Sequence, residues 1–509
     1  MPNLLYDQLL GPHRLDDRIF LKSPDGRAIS YRGFLELASR QAHALDVTGL
    51  KSGDRLIVQA DKSFETLGLY AACIMAGIVL IPLNTAYTMA ELAYYIEDGD
   101  VRGIICGSHT ARDLHKLIDK SDLAVLTLDA DGSGSFMECA WRQPSYFTVE
   151  DVMPHDMAAI LYTSGTTGRS KGAMLSHANL LSNAKVLRQL WQFTSDDVLL
   201  HALPLSHVHG LFIACNVMLL AGGSMLFLPK FDLDQVMEML PEATAMMGVP
   251  TFYDRLLGDS RLTRSLVANM RVFISGSAPL RAETFNAFEE RTGHRILERY
   301  GMSETNITVS NPYDGERRPG TVGFPVPGVE LKITDPETGE PLRQGETGMI
   351  EVRGPGVFAG YWRMPEKTEA ELRQNGFFIT GDIGRIDADG YVHIVGRAKD
   401  LIISGGLNVY PKEIELLLDA QPGVVESAVV GVPHPDFGEA VLGIVVAQAD
   451  MVPDLDMVAA RISASLANFK RPKKLVILEE LPRNAMGKVQ KAVLRAAFKD
   501  LFSGRSSRD

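Results

Sequence analysis

A chain of 509 residues exceeds what one hydrophobic core serves and points to roughly two to four structural units. Hydrophobic residues make up 46% and charged residues 22% of it, the balance of a folded globular protein and not of a disordered or fibrous one. The net charge of −12 is spread along the chain without a basic face, which argues against a nucleic-acid partner and leaves any anionic ligand to local cations.

Met1 to Phe20 interleaves Asp7, Asp16 and Asp17 with its apolar residues, unlike a signal or Arg-rich transit peptide. Cys73, Cys106, Cys139 and Cys215 show no C-x-x-C spacing and read as reduced thiols, which predicts a cytoplasmic protein. Apolar runs at 55–58, 103–106, 124–128, 198–202 and 224–228 alternate with helical patterns and predict α/β layers with largely parallel sheets. Gly210 to Leu228 has the hydropathy of a membrane span, but Asn216 and the Gly222-Gly223 pair interrupt it. A buried helix, a turn and a buried strand are expected there, with no membrane partner. From about Val329, turn signals at 335–339 and 387–390 predict a β-rich subdomain. Strand–helix alternation resumes after Gly396 and predicts a small α+β terminal domain, with its seam at 397–400 and a disordered tail from Ser503.

The most informative stretch is Tyr162-Thr163-Ser164-Gly165-Thr166-Thr167-Gly168-Arg169-Ser170-Lys171-Gly172. Its glycines permit close backbone approach, its hydroxyls and amides donate, and its cations offset charge, so it suits a polyphosphate; a surface loop fits the same composition. The apolar run 157–161 supplies a strand to anchor it. No Gly-Lys pair stands where a P-loop requires one after Gly165 or Gly168, and no G-x-S-x-G elbow marks an acyl nucleophile. His207 and His209 are spaced to share one face of a strand, yet no third donor completes a metal site.

The stretch resembles the phosphate-binding signature of the acyl-adenylate-forming superfamily of acyl-CoA synthetases, adenylation domains and luciferases, and further motifs follow in that family's order. Pro204 to Gly210 is similar to the motif whose histidine, here His207, lines the acyl pocket. Gly276-Ser277-Ala278-Pro279-Leu280 resembles the adenine-side loop. Tyr300-Gly301-Met302-Ser303-Glu304-Thr305 resembles the segment whose aromatic stacks on adenine and whose glutamate binds magnesium. Thr380-Gly381-Asp382 resembles the ribose motif, Arg397-Ala398-Lys399-Asp400 the interdomain hinge, and 482–488 the segment bearing the catalytic lysine, Lys488. Ser404 to Asn408, with Gly405 and Gly406, resembles the loop that forms the pantetheine tunnel.

The resemblance implies an AMP-forming acid–thiol ligase using Mg2+, ATP and CoA. Its expected fold is α/β: a large nucleotide-binding region of layered α/β subdomains over 1–396, β-rich at about 329–396, and a small mobile α+β domain over 397–509. Lys488, Glu304 and Thr163 are the expected catalytic groups. ATP is expected at Thr163, Ser164, Gly165, Thr166, Thr167, Gly168, Lys171, Gly276, Ser277, Ala278, Tyr300, Gly301, Ser303, Asp382 and Arg397. Resemblance to related ligases also makes Lys488 a candidate for a lysine acetyltransferase.

The acid is the remaining variable. Neighbouring side chains of a strand point oppositely, so with Tyr300 on adenine, Arg299 can face the acyl cavity. A guanidinium there would hold a second carboxylate bidentately and would oppose a fatty acyl tail; equally, Arg299 can be a structural partner of Glu298. The segments at 275–280, 298–302, 311–315 and 482–491 together resemble malonyl-CoA synthetases, which implies a short dicarboxylic acid next to Arg299, His207, Ser277 and Met302. A methylmalonyl-CoA or short-chain monocarboxylate ligase, and an enzyme loading a carrier protein, are the alternatives.

Overall fold

The structure, a computed structural model, describes residues 3–117, 123–163, 170–404, 407–463, 465–484 and 488–502. Ser164, Gly165, Thr166, Thr167 and Gly168, the tunnel pair Gly405 and Gly406, and the tail from Ser503 lie outside the described residues. The chain forms two compact units, residues 1–331 with 352–378, and residues 332–351 with 379–509.

Two large sheets build the first unit. One has the strand order Ala124–Thr127, Gly103–Cys106, Arg55–Gln59, Val79–Pro82, Met157–Thr163, Lys171–Ser176, parallel except for its last pair. Apolar runs such as Val79–Pro82 are buried on both faces, which is how parallel strands covered by helices read. The helix Phe64–Ala76 is buried along its whole length and is accordingly apolar all round. It starts where the Ser63 side chain accepts from the Thr66 amide and stops at Gly77, whose φ of 64° is left-handed.

The other sheet runs Phe324–Pro325, Asn306–Ser310, Leu297–Met302, Val272–Ser275, Ala245–Gly248, Val198–His201, Ser224–Phe227, Ile19–Lys22, Ala28–Ser30, with a parallel interior and antiparallel edges. The segment 210–228 is a helical run over His209–Cys215 and Asn216–Ala221, a left-handed Gly222 and the strand Ser224–Phe227. The interrupted apolar run is therefore core, and among the described residues no helix is long and apolar enough to cross a membrane. The His207–His209 expectation needs correction. Both follow the strand Val198–His201, and His209 opens a helical turn, so they do not share a strand face.

The second unit holds most of a four-stranded sheet, Glu330–Thr334, Gly348–Arg353, Phe378–Ile386, Val392–Arg397. Its other sheet centres on the antiparallel pair Val424–His434 and Gly438–Ala447. Alternate residues of that pair feed two cores: Val429, Val441 and Val445 pack on one side, Ala428, Val430, Val432, Leu442 and Ile444 on the other. This two-residue period lets one sheet be covered on both faces.

Candidate active site

Carboxyl ends of neighbouring strands carry the site in the first unit. Thr163 ends Met157–Thr163 and pairs with Lys171, so the glycine- and hydroxyl-rich stretch connects two antiparallel strands. The Thr163 hydroxyl donates to Glu304 Oε1 at 3.3 Å. Glu304 is buried just past the strand Leu297–Met302, and Tyr361 Oη stands 3.1 Å from the same oxygen. Lys171, also buried, reaches Tyr361 Oη at 3.0 Å and Glu371 Oε2 at 3.3 Å. Burial raises the Glu371 carboxyl, but hydrogen bonds from Lys367 and Tyr361 and the charge of Lys171 bring it below its usual range.

Among the described residues no group of three or more His, Cys, Asp or Glu is arranged to hold a metal unaided. Glu304 with the Thr163 hydroxyl is a hard-oxygen donor set beside a phosphate-type loop. It fits Mg2+, which takes one or two carboxylates and completes its shell with phosphate and water oxygens.

Two loops at strand ends meet the strand Leu297–Met302 around Arg299. Gly276 follows Val272–Ser275 and is buried because the Arg299 guanidinium lies against it; a Cβ there would stand 2.5 Å from Nη1 and 2.6 Å from Nε. Ser277 adopts a left-handed φ of 71°, uncommon for a side chain bearing a Cβ, and its hydroxyl is 3.2 Å from His209 Nδ1. Arg299 is 3% exposed. Burial draws its guanidinium down to about 10, and its Nε and Nη2 have no hydrogen-bond partner among the described residues. Glu298 does not pair with it; its carboxylate accepts from the Leu280 amide at 2.9 Å. Burial holds His207 down at about 4, and burial with the Arg299 charge keeps His209 neutral; the buried Nε2 of each also lacks a partner. The cluster is thus cationic at one point and otherwise neutral.

Tyr300 is half-buried beside the buried Arg299, in a strand whose first three residues are buried and last three half-buried. Gly301 has a plain steric reason, since a Cβ there would run into the Asn306 carbonyl. Ala278, Met302 and Ser303 are half-buried around the same strand ends.

In the second unit, Arg397 Nε pairs with the buried Asp382 at 2.6 Å, across the strand pairing Asp382↔Arg397. Lys399 sits in the short turn Ala398–Asp400, where Arg495 pairs with Asp400. Lys488 closes a hairpin in which its amide donates to Asn484 Oδ1 at 3.0 Å and its carbonyl accepts from the Asn484 amide at 2.9 Å. The residue keeps an exposed surface, but desolvation of its ammonium, then the Arg397 charge, lower it to about 8, against the pull of Asp382.

Sequence reasoning passed over His209, Tyr361 and Glu371. His209 was visible as the second histidine of the pocket motif, whereas Tyr361 and Glu371 belong to a distant segment with no motif of its own.

The chain matches the model of the AMP-binding enzyme over residues 12–362 and of the AMP-binding enzyme C-terminal domain over 413–488. It is 34% identical to a malonate–CoA ligase of Arabidopsis thaliana, covering 95% of this chain and 87% of that one. It is 33% identical to a long-chain-fatty-acid–CoA ligase of Bacillus subtilis, covering 96% and 95%. Among solved structures, ATP-bound MatB from Rhodopseudomonas palustris superposes with a TM-score of 0.96 at 52% identity, covering 99% of this chain and 100% of that one. With both domain models matched in order, the chain belongs to the family of AMP-binding enzymes.

Proposed function

We propose that this enzyme is a malonyl-CoA synthetase, converting malonate, ATP and CoA to malonyl-CoA, AMP and pyrophosphate. One observation carries the choice of acid: a buried arginine with two nitrogens unpaired among the described residues. Leaving a cation desolvated and without a counter-charge is costly, and a ligand carboxylate meets that need with paired hydrogen bonds. A long acyl chain, the substrate class of one relative's name, would bury methylenes against the same charge. Methylmalonate keeps the second carboxylate and so falls within this reading.

In the first half-reaction a malonate carboxylate oxygen attacks the α-phosphorus of ATP, and the bond to the pyrophosphate oxygen breaks as the acyl-adenylate forms. Thr163 and Lys171, with the intervening stretch 164–168, cradle the polyphosphate; Gly276, Ala278, Tyr300, Gly301 and Ser303 serve the adenine side, and Asp382, oriented by Arg397, accepts from the ribose. Glu304 and Thr163 would hold Mg2+, which would supply charge neutralisation to the polyphosphate when bound with ATP. Lys488 offsets the charge growing on pyrophosphate. In the second half-reaction the CoA sulfur attacks the acyl carbon, AMP leaves with the bonding pair, and the thiol proton passes to solvent.

The C-terminal domain, from about residue 397, rotates at Lys399 between these steps, removing Lys488 and bringing Gly405 and Gly406 to line the thiol channel. The free cysteines suit a cytosolic enzyme, and there a lysine acetyltransferase acting on Lys488 would silence the first step. The test is pyrophosphate release with malonate, acetate, propionate and a medium-chain fatty acid. Malonate is expected to lead; equal or better turnover with the monocarboxylates contradicts the reading.

A further inference from the structure

Tyr361 is fixed on every side. Its segment docks on the edge strand Lys171–Ser176 through an antiparallel bridge Ala173↔Tyr361, with the Trp362 amide donating to the Gly172 carbonyl at 2.7 Å. The Tyr361 amide donates to Thr368 Oγ1 at 2.9 Å, and its ring packs edge-on to Phe358 at 4.8 Å. The side chain has no rotational freedom to spare, so its hydroxyl is a fixed point in a buried place.

Three charged groups converge on that hydroxyl: Glu371 Oε2 at 2.7 Å, Lys171 Nζ at 3.0 Å and Glu304 Oε1 at 3.1 Å. A phenol carries one proton and donates once at a time, while its oxygen accepts from the ammonium. Glu371 is countered by Lys171 at 3.3 Å and Lys367 at 2.6 Å. Glu304 meets the phenol and the longer Thr163 contact at one and the same oxygen, Oε1.

We propose that Tyr361 is a positioning residue for the metal-binding carboxylate: its phenol holds Glu304 beside Lys171 in the orientation that receives the magnesium–polyphosphate unit, with Glu371 as the anchor behind it. This rests on the reading of Glu304 as the Mg2+ carboxylate. Removing the hydroxyl leaves the buried Glu304 and the half-buried Glu371 near the Lys171 ammonium without a shared donor, while Glu371 keeps Lys367. Glu304 is then drawn toward Lys171 and away from the cation.

Tyr361→Phe keeps the ring and its packing. ATP binding is titrated calorimetrically at a series of fixed Mg2+ concentrations and again with excess chelator. The Mg2+ concentration for half-maximal ATP binding is expected to rise about tenfold, the usual scale for one hydrogen bond to a charged group. Binding of metal-free ATP is expected to stay within about twofold by the same reckoning, and high Mg2+ to restore pyrophosphate exchange. Tyr31→Phe, an equally buried tyrosine whose hydroxyl donates to the Gly223 carbonyl at 2.6 Å, is the matched control and is expected to leave the Mg2+ dependence unchanged. An unshifted Mg2+ dependence in Tyr361→Phe, or equal weakening with and without metal, overturns the proposal. Glu304→Gln separates the two readings. If it shifts the Mg2+ dependence and Tyr361→Phe does not, the metal assignment stands and the positioning role falls; if Glu304→Gln leaves it unshifted, the metal assignment itself fails.

Discussion

Two side chains with opposite electrostatic situations define the chemistry at the residue scale. The proposed mechanism uses Lys488 as an ammonium, and desolvation with the Arg397 charge brings it from 10.5 to about 8. Below that pH it is charged and active, and the charge is lost as pH rises through it. The kcat/KM for ATP in the adenylation half-reaction is expected to fall through about pH 8, because that ratio reports the free enzyme. The kcat should persist to higher pH, since bound polyphosphate favours the ammonium. A flat kcat/KM profile between pH 7 and 9 would contradict this assignment. Arg299 presents the reverse case, a buried cation whose counter-charge, on the proposed reading, comes from the substrate. Arg299→Met is expected to raise the unfolding free energy of the ligand-free protein by about 2 kcal/mol, measured by denaturant titration. Malonate should raise the melting temperature of the parent and not of the variant. Arg299 was legible because strand alternation beside a motif tyrosine fixes which way it points. That its Nε and Nη2 lack partners among the described residues was not, since Glu298 stands next to it and the sequence does not show that this carboxylate accepts from the Leu280 amide.

Elements were legible where local rules govern them. The runs at 55–58, 103–106, 198–202 and 224–228 became strands because apolar continuity marks a largely buried parallel strand, the run at 124–128 became a half-buried edge strand, and Gly222 ended a helix where a left-handed residue was needed. The His207–His209 segment was misread because a two-residue spacing in an apolar run is common to strands and to irregular turns. There the Gly210 carbonyl is taken by His201 Nε2 at 2.9 Å, a long-range bond that a local pattern does not show. Tyr361 and Glu371 were invisible for the same reason, as their roles come from strand docking at the sheet edge. At this scale the turn Ala398–Asp400 carries its own prediction. Lys399→Pro fixes φ near −65° and denies the turn a second conformation. Pyrophosphate exchange is expected to stay within about threefold, while thioester formation from supplied malonyl-adenylate falls at least about tenfold, a barrier of about 1.4 kcal/mol. Equal loss of both would count against rotation at this residue.

For the whole molecule, the chain order of motifs spans both matched family domains, and this order made the family legible before any coordinate. The acid was less legible, because relatives of similar identity carry names with malonate and with long-chain fatty acids. On the proposed reading, specificity comes from the buried Arg299. The most direct measurement compares kcat/KM for malonate and propionate in the parent and in Arg299→Met. The parent is expected to favour malonate, and the variant to lose about a hundredfold on malonate, as for a charged bidentate contact of ~3 kcal/mol, while gaining on propionate. Retention of the malonate preference in Arg299→Met would contradict the account.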